Sequence, residues 1–217
     1  MSDDNLVNDY GWSSTDAPPS CNYIEPAIID FVKRENPGRV LDLGCGNGSL
    51  CQSIKQATDS YIVGIDNDPE GIRLAKESFP GIPFYNYGVQ NNPETLVENE
   101  GELFDAVIST EVIEHLFSPQ LLPKYAHSVL KPGGKLYITT PYHGYLKNLV
   151  LSVLNKWDTH HTALWEGGHI KFWSVKTLSA LLQDNGFKVI EHTGVGRIPY
   201  LWKSMVIVCY KPKSASE

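Results

Sequence analysis

A chain of 217 residues, 41% hydrophobic and 20% charged, has enough material for one compact domain and too little for two large ones. Its formal charge is −7, from 18 Lys+Arg against 25 Asp+Glu, and no run of five basic residues occurs, which argues against a broad polyanion-binding surface. The cysteines Cys21, Cys45, Cys51 and Cys209 show no Cys-x-x-Cys spacing, so reduced thiols are expected.

The opening stretch MSDDNLVNDYGWSSTD is acidic and lacks the basic and apolar regions of a signal peptide. No apolar run approaches the ~20 residues of a spanning helix, and the expected compartment is the cytoplasm. Residues 1–22, polar and carrying Pro18-Pro19, read as a mobile arm able to close over a ligand. Residues 23–217 read as a single domain. From Ile24 to Lys33 the apolar positions follow helical spacing. Strands are then expected over Arg39–Leu43, Tyr61–Asp66, Pro83–Tyr87, Phe104–Ser109 and Gly134–Thr140. Helical patterns fill the gaps at Ser49–Gln56, Pro69–Ser78 and Gln120–Val129. Continuous apolar strands alternating with helices predict an α/β, Rossmann-like, doubly wound sheet, mostly parallel, with helices on both faces.

After Pro141 a helical pattern runs to Trp157, with Leu146, Leu149, Val150, Val153, Leu154 and Trp157 on one broad face. That face predicts a core-facing lid, with a membrane-surface helix as the other reading. An irregular stretch rich in His, Trp and Gly follows, and the whole span 141–173 reads as a lid or substrate insertion. A helix over Val175–Asn185 precedes two apolar runs, Lys188–Thr193 and Lys203–Tyr210. No helix-length segment separates these runs, which predicts an antiparallel pair at the sheet edge.

The segment VLDLGCGNGSL (40–50) runs from a strand through a glycine turn into a helix. Glycines let backbone approach a ligand closely, and the following helix N-terminus offers free N–H groups. A second strand ends at Asp66 about twenty residues on, where an acidic side chain can accept from ribose hydroxyls. The spacing is Gly-x-Gly-x-Gly and Asp42 precedes it, which suits a cationic ligand better than the diphosphate of a nicotinamide dinucleotide.

With GIDNDPEGIRLA (64–75), FDAVISTEVIEHL (104–116) and LKPGGKLYITTP (130–141), that loop resembles the class I S-adenosylmethionine methyltransferases over about residues 23–210. The resemblance implies S-adenosylmethionine as cofactor. It implies contacts to the methionine part from the glycine loop at Gly44 and Gly46, to the ribose from Asp66, and to adenine from Gly88 or Val89. Asp42, Cys45, Asn67 and Thr110 are expected at the cofactor as well.

Glu111-Val112-Ile113-Glu114-His115 carries the chemistry. If it opens a helix, Glu111, Glu114 and His115 share one face at i, i+3 and i+4 and can hold a hard divalent cation such as Mg²⁺ or Mn²⁺. A fourth ligand would come from His160, His161 or His169. The pattern is similar to that of ubiquinone-biosynthesis O-methyltransferases and of small-RNA ribose 2′-O-methyltransferases, and by that likeness His169 is the fourth ligand. The other reading has no metal, with His115 as a general base contributing ~10²–10⁴-fold.

The expected function is O-methylation of a small hydroxylated acceptor, vicinal or catechol-like, assisted by the metal. Aromatic density over 141–202, including Tyr142, Tyr145, Trp157, Trp165, Trp173, Tyr200 and Trp202, suits stacking on a planar or sugar-like acceptor, although for any one of them packing of a lid helix is the favoured reading. RNA ribose methylation and a non-catalytic adenosylmethionine-binding module are the alternatives. The acidic balance counts against RNA, and the Glu-Glu-His group against the module.

Overall fold

A computed structural model describes residues 11–161, 164 and 168–213. Seven strands form one sheet in the order β3-β2-β1-β4-β5-β7-β6. They are β1 Arg39–Leu43, β2 Tyr61–Ile65, β3 Phe84–Tyr85, β4 Phe104–Thr110, β5 Leu130–Pro141, β6 Lys188–Val195 and β7 Ser204–Tyr210. β1 to β5 pair in parallel, and β7 runs antiparallel to both neighbours. β6 therefore points the same way as β1–β5, and β7 alone is inverted.

Helices cover both faces, as the sequence predicts. Among the described residues, α1 (Cys21–Glu35), α2 (Ser49–Ala57) and α3 (Pro69–Ser78) pack Ile28, Phe31, Ile54 and Ile72 against one face. α4 (Pro93–Glu100), α5 (Leu121–Val129) and α8 (Val175–Asp184) bring Leu96, Leu122, Val129, Leu178 and Leu182 to the other. Local chemistry fixes the helix starts. Asp68 Oδ1 accepts from Glu70 N and Gly71 N (2.9 and 3.0 Å) with Pro69 in the first turn. Ser174 caps α8 by accepting from Thr177 N.

Helix α4 is absent from the sequence expectations. Its apolar periodicity is slight, with Leu96 its one buried residue. Its ends are nonetheless written in the chain: Asn92 accepts from Glu94 N, Pro93 opens the first turn, and Gly101 closes the helix in the left-handed region.

The stretch after Pro141 differs more. The single helix expected to Trp157 is two, α6 (Tyr145–Val153) and α7 (Trp157–His161), broken where Asn155 takes a positive φ. The apolar face expected to meet the core faces outward instead, with Leu146, Leu149, Val153 and Leu154 exposed. Lys147, at 5% exposure, is the buried residue of α6. Periodicity defines a face without saying which side of it is inside. Of the expected arm, residues 11–20 are described; Trp12 packs on Gly46, and Asn47 Nδ2 donates to Ser14 O and Asp16 O. Residues 1–10 and Trp165 lie outside the described residues. No helix among the described residues is long and apolar enough to cross a membrane.

Candidate active site

The strand order reverses direction beside β1, with β2 on one side and β4 on the other. At such a switch point the helices diverge and leave a crevice at the carboxyl ends of the strands. A cavity of about 890 Å³ opens there, bounded by the loops after β1 to β5, the arm, α6 and the turn before β7. All nine residues expected at the cofactor line it: Asp42, Gly44, Cys45, Gly46, Asp66, Asn67, Gly88, Val89 and Thr110.

The glycine loop follows from its backbone. Gly44 and Gly46 have φ of 90° and 52°, and a Cβ on either would strike Val112 or Trp12. Asp66 pins the loop, accepting from Gly46 N (2.8 Å) and Asp68 N (2.8 Å). Burial pushes its carboxyl up to about 6. Asp42 is buried at the loop's base; Cys51 Sγ donates to its Oδ2 (3.3 Å), while Oδ1 has no hydrogen-bond partner among the described residues. Burial pushes Asp42 up to about 7. A buried carboxylate oxygen without a partner is costly unless a ligand completes it, and a cationic amino group does so. These residues therefore fit S-adenosylmethionine, whose methionine amino group is cationic.

The Glu-x-x-Glu-His segment is not one helix. Glu111 sits at φ 54°, a strained backbone for a non-glycine residue, and only Ile113–His115 form a short 3₁₀ turn. The expected shared face of Glu111, Glu114 and His115 is therefore broken between Glu111 and the turn. Contacts to Thr139 and Ser204 hold Glu111 in that pose. Its N–H lies 3.2 Å from Thr139 O and 3.2 Å from Thr139 Oγ1, Thr139 Oγ1 donates to Oε1 (2.9 Å), and Ser204 Oγ donates to Oε2 (3.0 Å). Burial raises its carboxyl to about 7, partly offset by those hydroxyls and by Lys147.

Glu114, His115 and His169 converge, each offering one ligand atom, and these atoms lie within 4.8 Å of one another. Glu111 stands outside this group. Thr140 Oγ1 donates to Glu114 Oε2 (3.0 Å), whereas Oε1, buried, has no hydrogen-bond partner among the described residues and lies 4.0 Å from His115 Nε2. Burial, then the neighbouring Glu111 charge, holds Glu114 well above the usual carboxylate range. His115 Nδ1 lies 3.3 Å from Gly168 O; a carbonyl only accepts, so Nδ1 is the donor of that contact and Nε2 is the ring nitrogen turned toward Glu114. Burial lowers His169 to about 4, which keeps its imidazole neutral. His160 lines the cavity with His115 and His169, while His161 stacks on Trp157 outside it.

Sequence reasoning missed Lys147 and Arg197 as cavity residues, along with Trp12, Tyr23, Gln90 and Ser204. Lys147 had a signal, as an isolated charge beside the apolar stripe of α6. The others come from segments that meet only in the folded chain.

The sheet order, the glycine loop and the acidic end of β2 define a class I S-adenosylmethionine-dependent methyltransferase. A match to the family described as "Methyltransferase domain" covers residues 22–192, and the chain belongs to that family. It is similar to the mitochondrial ubiquinone biosynthesis O-methyltransferase of Rattus norvegicus, 34% identical over 192 residues, 82% of this chain and 54% of that protein. The Xanthomonas axonopodis pv. citri (strain 306) ubiquinone biosynthesis O-methyltransferase is 34% identical over 134 residues, 59% of this chain and 55% of that one. The chain spans about half the length of the curated relatives it matches. Among solved structures, the magnesium protoporphyrin IX methyltransferase of Synechocystis PCC 6803 with bound SAH aligns at TM-score 0.64 and 17% identity over 87% of this chain and 82% of that one. The [4+2]-cyclase SpnF aligns at 0.66 and 16%, with the same coverage. A cyclase on this fold means that function must be argued from the site.

Proposed function

We propose that the protein transfers a methyl group from S-adenosylmethionine to a hydroxyl of a small vicinal-diol or catechol-like acceptor, with a divalent cation at Glu114, His115 and His169. The observation that carries this reading is the buried Oε1 of Glu114, without a hydrogen-bond partner among the described residues and beside two imidazoles. One carboxylate oxygen with two imidazole nitrogens suits Mn²⁺ better than the oxygen-preferring Mg²⁺, and the carbonyl acceptor behind His115 is the outer partner that ligating histidines use. Similarity to ubiquinone biosynthesis O-methyltransferases supports oxygen as the methyl acceptor.

The reaction is a displacement in which the acceptor oxygen takes the methyl carbon, the sulfur leaves with its bonding pair, and the hydroxyl proton must go elsewhere. A bound divalent cation would polarise the hydroxyl and lower its pKa. Asp42 and the Gly44–Gly48 loop hold the methionine end, and Asp66 faces the ribose. His169, kept neutral with a pKa of about 4, is a weak proton acceptor and a ready ligand, which favours the ligand role over general-base catalysis. Glu111, at about 7, is better matched to receive the proton near neutral pH.

The test is methyl transfer from labelled S-adenosylmethionine to a panel of catechols, vicinal diols and short RNAs, with and without chelator. Activity on catechols or diols should need Mn²⁺ or Mg²⁺. Glu114→Gln and His169→Ala should each weaken Mn²⁺ binding by ~10–100-fold. Turnover untouched by chelator and by both variants would sink the metal assignment, and activity confined to RNA would overturn the acceptor.

A further inference from the structure

Helix α6 has its sides reversed relative to ordinary packing. Leu146, Leu149 and Val153 face solvent, Val153 at 75% exposure, while Val150 and Leu151 line the cavity and the ammonium-bearing Lys147 is 5% exposed. Lys147 and Arg197 line the same cavity as His115 and His169. Burying an ammonium while exposing leucines is unfavourable on both counts, so a specific role must keep the lysine inside.

Its own partners fall short. Lys147 Nζ donates to Lys203 O (3.1 Å), one bond for a group with three N–H donors. Lys203 itself does not supply an anion; its ammonium rests 4.8 Å from the centroid of the Tyr23 ring. Arg197 has no hydrogen bond or ion pair among the described residues, and its charge repels that of Lys147. Glu111 is the carboxylate whose charge reaches Lys147, but both its oxygens accept hydroxyl protons from Thr139 and Ser204. Two cations at the cavity, Lys147 buried and Arg197 exposed at its edge, have no carboxylate ion-pair partner among the described residues and leave a place for an anion from outside.

We propose that Lys147 and Arg197 form an anion-binding subsite that takes a carboxylate or phosphate group carried by the methyl acceptor. The proposal rests on reading this cavity as the acceptor chamber and deepens it. The acceptor is then bipolar, with hydroxyls toward Glu114, His115 and His169 and an anionic group toward α6. The guanidinium accepts either anion in a fork, and the shorter ammonium fixes one oxygen.

The test reads binding and needs no methyl transfer. Benzoate, phenyl phosphate and neutral benzamide are titrated calorimetrically into the full chain saturated with S-adenosylhomocysteine. At least one anion should bind ~10-fold or more tighter than benzamide. The benzoate and phosphate arms show which anion is taken. Lys147→Met should remove at least ~10-fold of the anion affinity, Lys147→Arg should restore most of it, and Arg197→Gln should cost a further several-fold. Retained S-adenosylhomocysteine affinity certifies folding in each variant. Anions that bind no better than benzamide, or that ignore Lys147→Met, overturn the subsite and leave Lys147 as a counter-charge to Glu111. Anion binding retained while no catechol or diol is ever methylated overturns the functional reading instead.

Discussion

The cofactor end and the acceptor end of the cavity are assembled by different means. The cofactor end is the continuation of the sheet: β1 and β2 deliver Asp42 and Asp66 directly, and the glycine loop between them is closed by backbone bonds to Asp66 and to Ile65 O. The acceptor end is assembled from distant pieces, a 3₁₀ turn after β4, α6, the His169 segment and the first residue of β7. Contacts within one βαβ unit are local, so the first is rigid and encoded in a short motif. The second depends on the packing of an insertion whose apolar side faces outward.

The largest effect should come from breaking the point where the two ends touch. Gly44→Val adds a branched side chain at φ 90°, against Val112, next to Glu111. We expect S-adenosylmethionine affinity to fall more than ~100-fold by calorimetry, and Mn²⁺ binding to fall with it. Affinity within threefold of the parent would show that the ends are independent.

A second effect separates them by pH. The cationic amino group of the cofactor needs Asp42 ionised, and burial holds that carboxyl up at about 7. Cofactor affinity should therefore drop below pH 7 by as much as ~10-fold per unit. Asp42→Asn should bind weakly and show little of this slope.

Stability should respond with opposite signs at the two ends. His143 and His160, lowered to about 4 by burial, and His161, lowered likewise, are neutral in the fold. Their contribution is present above the unfolded value near 6.5 and is lost as pH falls toward 4. Asp42 and Asp66 are raised, so their contribution grows as pH falls from about 7 toward the usual aspartate range. Hydrogen exchange, corrected for intrinsic rates, should show residues 145–161 loosening between pH 6.5 and 4 while 40–66 do not.

The smallest effect tests the reversed helix. Leu149→Gln and Val153→Gln should change the unfolding free energy by less than ~0.5 kcal/mol, because both side chains already face water. Leu96→Ala in the core should cost ~2–5 kcal/mol by denaturant titration. Equal losses would mean that α6 buries its apolar face after all.

The same division explains what could be read from the chain. The strand–helix alternation and the loop from Asp42 to Gly48 were legible because period and turn chemistry are local properties. Helix α4 was written only in its caps, since a helix that buries Leu96 alone gives periodicity little to detect. Glu111 was legible as a residue and not as a geometry. Its left-handed backbone is imposed by Thr139 and Ser204, which lie 28 and 93 residues away. Lys147 was visible as a charge, but its direction depends on the carbonyl of Lys203.

The position of β7 has a consequence for how the molecule comes together. Among the described residues it is the last strand in chain order, yet it sits inside the sheet, with β5 on one side and β6 on the other. During synthesis β6 has no partner strand until β7 emerges, whereas the insertion already bonds to Glu114 O through Ile170 N and Lys171 N. Ser204, which opens β7, completes the hold on Glu111, and Lys203 just before it supplies the carbonyl for Lys147. A nascent chain can thus build its cofactor floor early, whereas the chemistry at the far wall is assembled last, together with the strand that zips the sheet shut.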